Sequence, residues 1–166
     1  MIWKVPRVLL YERVGLKPRR RAPHRAHRPG RRLAPPPPPG RAGAVKVGNI
    51  LFVGGHTPGQ MHIGKLGAEI TVEQGYEAAR QACLNCLADV EAVLGDLDKV
   101  KKVAKLLCMV NSAPDFGQQP QVANGATDLL SQLYGEAGAH ARSAVGMAAL
   151  PNGACIEIEM IMEVED

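Results

Sequence analysis

Apolar residues recur at helical spacing between Thr71 and Gly95, the longest regular pattern in the chain. Thr71-Val-Glu-Gln74 has the form of a capping box, in which a threonine hydroxyl and a glutamine side chain bind free backbone amides of the first turn. Gly95 suits the left-handed conformation that ends many helices. The pattern predicts a helix whose apolar face includes Tyr76, Ala79, Cys83, Cys86, Leu87, Val90 and Leu94.

A second helix and five strands follow from shorter patterns. Helical spacing returns before Tyr134-Gly135, in Val122, Ala126, Leu129, Leu130 and Leu133. β-Branched and alternating residues predict strands at residues 44–47, 50–53, 100–110, 142–148 and 154–165. The first two strands flank Gly48-Asn49 as a hairpin, and the last two are joined by the turn Leu150-Pro-Asn-Gly153.

The element order β-β-α-β-α-β-β predicts an α+β fold with both helices on one face of a mixed sheet. In the last strand, core residues alternate with Glu157, Glu159, Ile161 and Glu163. Because the apolar Ile161 shares a face with these carboxylates, we expect that second face to be partly buried against another subunit.

Composition changes near Gly43. Residues 1–43 hold twelve Lys and Arg against Glu12 alone and nine of the thirteen prolines, whereas residues 44–166 carry a net charge of −7. This break predicts a disordered or polyproline-like leader, 1–43, and a folded domain, 44–166. No apolar run is long enough for a signal peptide or a membrane span.

Three interpretations of the leader stay open. An organelle targeting peptide is one, although the leader contains no Ser or Thr. A nucleic-acid-binding arm is another, although no Phe, Tyr or Trp lies within the run Arg19–Arg32 to stack on bases. An accidental extension, translated upstream of the true start or out of frame, explains the abrupt break most economically.

Arg142 stands at the head of an apolar strand that contains Ala144 and Val145. A guanidinium in such surroundings needs an anionic partner, and its planar fork matches a carboxylate through two parallel hydrogen bonds. The partner is either a small-molecule carboxylate or Glu157, in a structural ion pair. His140 lies two positions earlier, on the same side of the predicted strand, where it could assist proton transfer.

Cys83-Leu-Asn-Cys86 has the spacing of redox and zinc motifs, but it lies inside the helical pattern and is interpreted as buried structural thiols. Four cysteines without a secretion signal suit a reducing compartment, and no metal site is predicted. We interpret four further polar residues as ordinary loop or capping residues: His56, His62, Asp115 and Asn124.

Several motifs together resemble the reactive-intermediate deaminase (YjgF/Rid) family. They are Arg142-Ser-x-Val, Leu150-Pro151, Ile156-Glu157-Ile158-Glu159, the hairpin Val47–Gly55 and Ala113-Pro-Asp-Phe116. The resemblance extends from about Val45 to Val164. Between Asn111 and Gly146 it is closest to a subgroup whose physiological substrate is poorly defined.

The resemblance implies a chorismate-mutase-like homotrimer with three clefts between neighbouring subunits. A cytoplasmic location is expected from the reducing compartment that the four cysteines suit. It implies cofactor-free hydrolysis of reactive enamines and imines, such as 2-aminoacrylate or 2-iminobutyrate, to 2-keto acids and ammonia. Arg142 matches the arginine that grips the substrate carboxylate, and Glu157 matches the acid that positions the attacking water. Gly55, Ala144 and His140 are expected to line the same pocket.

Two features depart from the family pattern. Many members have a cysteine where this chain has Ala144, and an N-terminal tyrosine that lines the cleft has no evident counterpart. Two other functions therefore stay open. One is a non-catalytic trimer that binds small carboxylates or a protein partner. The other is an endoribonuclease, which the net charge of residues 44–166 opposes because phosphate binding favours basic surfaces.

Overall fold

The computed structural model describes residues 40–166 of the chain, so the predicted leader lies outside the described residues up to position 39. The described part contains five strands and two long helices, in the predicted order: β1 (Ala44–Val47), β2 (Ile50–His56), α1 (Val72–Leu94), β3 (Val100–Asn111), α2 (Gln119–Tyr134), β4 (Ala141–Met147) and β5 (Ile156–Val164). Among the helices of this part, none is both long and apolar enough to cross a lipid bilayer.

The local signals at the ends of α1 act as the sequence predicts. The Thr71 hydroxyl accepts a hydrogen bond from the Gln74 amide at 3.3 Å, and the Gln74 side chain accepts one from the Thr71 amide at 2.9 Å. Gly95 ends the helix with φ of 76°. Both ends therefore follow from residues within one turn of the boundary.

The strands form a single mixed sheet in the order β1-β2-β5-β3-β4. β3 and β4 are parallel, and the other neighbouring pairs are antiparallel. The turn before β5 contains Asn152 and Gly153, both with positive φ, but the strands that it joins are not neighbours. β5 inserts between β2 and β3, which leaves β4 at an edge of the sheet.

Both helices cover one face of the sheet, and the core lies between these two layers. The α1 and α2 backbones approach so closely at Gly125 that a Cβ there would overlap the Tyr76 carbonyl. From the sheet, the core receives fully buried side chains of β3 and β5, including Leu106, Ile158 and Met162. The close approach fixes α2 over the β3–β4 edge of the sheet, where the candidate site begins.

The other face of the sheet is uncovered within residues 40–166 and carries apolar side chains. Val47 is 63% exposed, Phe52 48% and Val145 42%. Phe52 pairs with Val45 on one side and with Ile161 on the other, so an apolar row crosses three strands. A shallow cavity of about 420 Å³ lies on this face, lined in part by Phe52 and Ile161. We call this surface the open face.

Candidate functional site

Arg142 projects from β4 toward α2, on the helix-covered side of the sheet. Its backbone pairs with the buried Leu106, and its Nη1 donates to Asn124 Oδ1 and to Thr127 Oγ1, each at 2.9 Å. These two bonds use both hydrogens of Nη1. Within residues 40–166, no acceptor binds Nε or Nη2. The two parallel N–H groups that could bind a carboxylate side-on are therefore unoccupied.

Glu157 lies on the open face. It stands between Ile156 and Ile158 in β5, whose side chains are buried on the other face of the sheet. Its carboxylate lies against Gly55 of β2, where a Cβ would overlap Oε1. No hydrogen bond or ion pair reaches this carboxylate from the described part of the chain. Gly55 thus provides the space that the carboxylate occupies.

Arg142 and Glu157 are on opposite faces of one sheet. Arg142 is in register with Leu106 of β3 and Glu157 with Met109 of the same strand. Because side chains alternate along a strand, residues three positions apart point to opposite faces. The strand β3 also separates their two strands. They form no ion pair within residues 40–166, so the Arg142–Glu157 ion pair considered from the sequence does not form within one chain. The spacing could not show this, because it gave no indication that β5 would be inserted elsewhere in the sheet.

The remaining predicted site residues divide between the two faces. Ala144 lies two residues after Arg142 on the helix-covered side of β4, paired with the buried Cys108. His140 immediately precedes β4, and its Nε2 lies 3.2 Å from Thr127 Oγ1. Arg142, Ala144 and His140 therefore form one group, and Gly55 joins Glu157 in the other.

Asn124 was wrongly interpreted as a capping residue. It lies inside α2, whose N-cap is Gln118, and its side chain accepts a hydrogen bond from Arg142. The contact depends on how α2 packs against β4, so the local sequence contains no signal for it. Thr127, one turn further along α2, was missed for the same reason.

His56 also differs from an ordinary loop histidine. It ends β2, its Nε2 lies 2.9 Å from Asp89 Oδ2 on α1, and its Nδ1 lies 2.8 Å from the Gly54 carbonyl oxygen. These bonds hold the end of β2, which contains Gly55, against α1. His56 thus supports the strand that lies against Glu157.

The four cysteines are buried and unpaired, in keeping with the interpretation of structural thiols. Burial raises the pKa of Cys108 to about 12 and that of Cys155 to about 11. Burial also raises the pKa of Cys83 and Cys86 well above the usual range for a thiol. None of these thiols is therefore activated as a nucleophile at neutral pH.

Within residues 40–166, the predicted site residues thus present two separate polar groups: an arginine with a free Nε–Nη2 edge at the edge of the sheet, and an unpaired carboxylate on the open face. Residues 44–164 match the family described as "YjgF/chorismate_mutase-like, putative endoribonuclease". The chain belongs to this family, which confirms the resemblance and the fold class expected from the sequence motifs.

Similar proteins agree with this assignment. The chain is 46% identical to protein TCP17 of Trypanosoma cruzi over 127 residues, which cover 74% of this chain and 79% of that protein. It is 30% identical to the 2-iminobutanoate/2-iminopropanoate deaminase of Dermatophagoides farinae over 133 residues, 80% of this chain and 92% of that enzyme. The solved structure of Atu1372 from Agrobacterium tumefaciens, a protein of unknown function, is 39% identical with a TM-score of 0.75, over 76% of this chain and 83% of that one.

Proposed function

We propose that this protein hydrolyses small 2-imino acids, and the enamines in equilibrium with them, to 2-keto acids and ammonia. The observation that carries the proposal is the Nε–Nη2 edge of Arg142, which no acceptor within residues 40–166 binds and whose opposite side is fixed by two residues of α2. A fixed guanidinium edge binds a carboxylate through two hydrogen bonds, and a 2-imino acid has its carboxylate next to the reacting carbon. The similarity to a 2-iminobutanoate/2-iminopropanoate deaminase supports this substrate class.

The proposed reaction needs only positioning and proton transfer. Arg142 binds the substrate carboxylate, and the Glu157 carboxylate accepts a proton from water as the water oxygen bonds to the imine carbon. The Glu157 carboxyl then gives this proton to the substrate nitrogen, which yields a neutral carbinolamine. When Glu157 takes the hydroxyl proton of the carbinolamine and passes it to the same nitrogen, the carbon–nitrogen bond breaks, the carbonyl forms and ammonia leaves. Because no partner from the described part of the chain binds it, the Glu157 carboxylate can take part in this transfer.

A second copy of the chain is needed in this proposal. Arg142 and Glu157 of one chain lie on opposite faces of the sheet and so cannot contact the same small substrate. We propose a homotrimer in which the open face of one copy packs against the β4 edge of the next, so that Glu157 of one copy meets Arg142 of its neighbour. The exposed Val47, Phe52 and Val145 on the open face support such packing, because burial of apolar area favours association.

The test combines turnover with ligand binding. The wild-type protein is expected to accelerate 2-iminobutyrate hydrolysis and to bind pyruvate, a stable product analogue. Arg142→Ala is expected to lose both while keeping the oligomeric mass of the wild type. Pyruvate binding without acceleration by the wild type would favour a carboxylate-binding module, and absence of both would overturn the proposed site.

A further inference from the structure

The hydroxyl of Thr127 lies between Arg142 and His140. Its oxygen is 2.9 Å from Arg142 Nη1 and 3.2 Å from His140 Nε2. The other ring nitrogen, Nδ1, lies 2.6 Å from the carbonyl oxygen of Gly138. Thr127 and His140 are both half-buried, so these groups are partly shielded from water. They form a continuous hydrogen-bonded chain that ends at the guanidinium.

The partners define where each proton lies. A carbonyl oxygen only accepts, so Nδ1 of His140 carries the proton that faces Gly138. In the tautomer with its proton on Nδ1, Nε2 accepts and the Thr127 hydroxyl donates to it. This leaves the lone pairs of the Thr127 oxygen to accept from Arg142. His140 therefore sets the direction of the Thr127 hydroxyl.

Both ring nitrogens of His140 are occupied in this chain of hydrogen bonds, so neither one is free for a substrate. This differs from the proton-transfer role considered from the sequence. We infer that His140, acting through Thr127, is a positioning residue that holds the Arg142 guanidinium for the substrate carboxylate. The inference rests on the proposed function.

The reason for the arrangement is geometric. Asn124 alone would leave the guanidinium free to turn about one hydrogen bond, whereas a second bond to Thr127 fixes its plane. Without an acceptor at His140, the Thr127 hydroxyl could turn its proton toward Arg142 and lose that bond. Loss of one hydrogen bond to a charged group is worth roughly a 10-fold change in affinity.

Two matched pairs of variants test the inference. Thr127→Val removes the hydroxyl and keeps the shape, whereas Thr127→Ser keeps the hydroxyl. His140→Phe removes both ring nitrogens, whereas His140→Gln keeps an oxygen that can accept from Thr127. For each variant, KM and kcat for 2-iminobutyrate, the Kd for pyruvate and the thermal unfolding midpoint are measured.

Thr127→Val and His140→Phe are expected to raise KM and the pyruvate Kd about 10-fold, with kcat changed less than roughly 3-fold. Thr127→Ser and His140→Gln are expected to recover most of the affinity. The double variant Thr127→Val/His140→Phe should bind pyruvate no more weakly than Thr127→Val alone, because His140 acts through Thr127.

Three results would overturn the inference while leaving the proposed function intact: an unchanged pyruvate Kd in Thr127→Val, a loss of kcat alone in His140→Phe, or additive losses in the double variant. A variant that lowers only the unfolding midpoint also counts against it, because that result indicates a purely structural role. Failure of the proposed function is recognised separately, since the wild type would then neither bind pyruvate nor accelerate imine hydrolysis, and the inference would fall with it.

Discussion

Arg142 faces the helices from the edge strand β4, whereas Glu157 faces away from them on the internal strand β5. The arginine is held by two side chains of α2, and the carboxylate lies against a glycine of β2. In the proposed function, one chain thus presents two half-sites that point in different directions. Each half can be tested by its own substitutions.

Arg142→Lys tests whether the planar shape of the Arg142 guanidinium is needed to bind a carboxylate. Arg142→Lys keeps the charge but cannot present two parallel N–H groups to a carboxylate. We expect kcat/KM for 2-iminobutyrate to fall about 100-fold and pyruvate binding to weaken in parallel. Calorimetric titration with pyruvate and initial-rate measurements check this. Near-normal binding by the lysine variant would show that charge alone is sufficient.

Glu157→Gln tests proton transfer on the open face. The amide keeps the shape of the side chain but cannot accept a proton from water, so we expect kcat to fall roughly 100-fold with little change in pyruvate affinity. Glu159→Gln is the matched control two residues along the same strand face, and its effect should be much smaller. If Glu157→Gln dissociates the oligomer while the remaining oligomer keeps normal activity, Glu157 is structural and the mechanism is wrong.

Gly55→Ala tests the space beside Glu157. A Cβ at this position overlaps the carboxylate, which is the end of a flexible side chain and can move away. We therefore expect a clear loss of kcat, about 10-fold, with a small change in unfolding midpoint. Gly117→Ala provides the control, since a Cβ at Gly117 meets no atom within 4 Å. Equal kcat values for the two variants would show that the position of the Glu157 carboxylate does not affect the reaction.

The buried thiols predict a loss of stability at alkaline pH. Cys108 and Cys155 have a pKa of about 12 and about 11 in the folded protein, above the ordinary thiol value of 9.0. Between pH 9 and 11 the unfolded chain therefore binds fewer protons than the folded one, and the free energy of unfolding falls as pH rises. Denaturant unfolding at several pH values measures this slope. It should become shallower in a Cys108→Ala/Cys155→Ala variant, and an unchanged slope would contradict the assignment.

The elements of the fold could be predicted because their signals are local. The capping box at Thr71, the left-handed Gly95 and the helical spacing between them act within a few residues. The alternation along β5 likewise defines its two faces without knowledge of its neighbours. The class of the fold, with both helices on one side, follows from these elements and their order.

The geometry of the site could not be predicted in the same way. The position of β5 between β2 and β3 depends on pairing between distant segments, and it decides that Arg142 and Glu157 are kept apart. The contacts of Asn124 and Thr127 with Arg142 depend on where α2 lies above β4. The sequence could name Arg142 and Glu157 as candidate site residues but could not give the direction in which each side chain points.

Both side chains that bind Arg142, those of Asn124 and Thr127, come from α2, the helix that precedes β4 in the chain. A single newly synthesised chain can therefore complete its arginine anchor from neighbouring parts of the sequence before it meets another copy. In the proposed assembly, Glu157 gains an arginine opposite it only when a second copy arrives. Carboxylate capture is then a property of each chain and turnover a property of the oligomer, so dilution should abolish turnover at protein concentrations where pyruvate still binds.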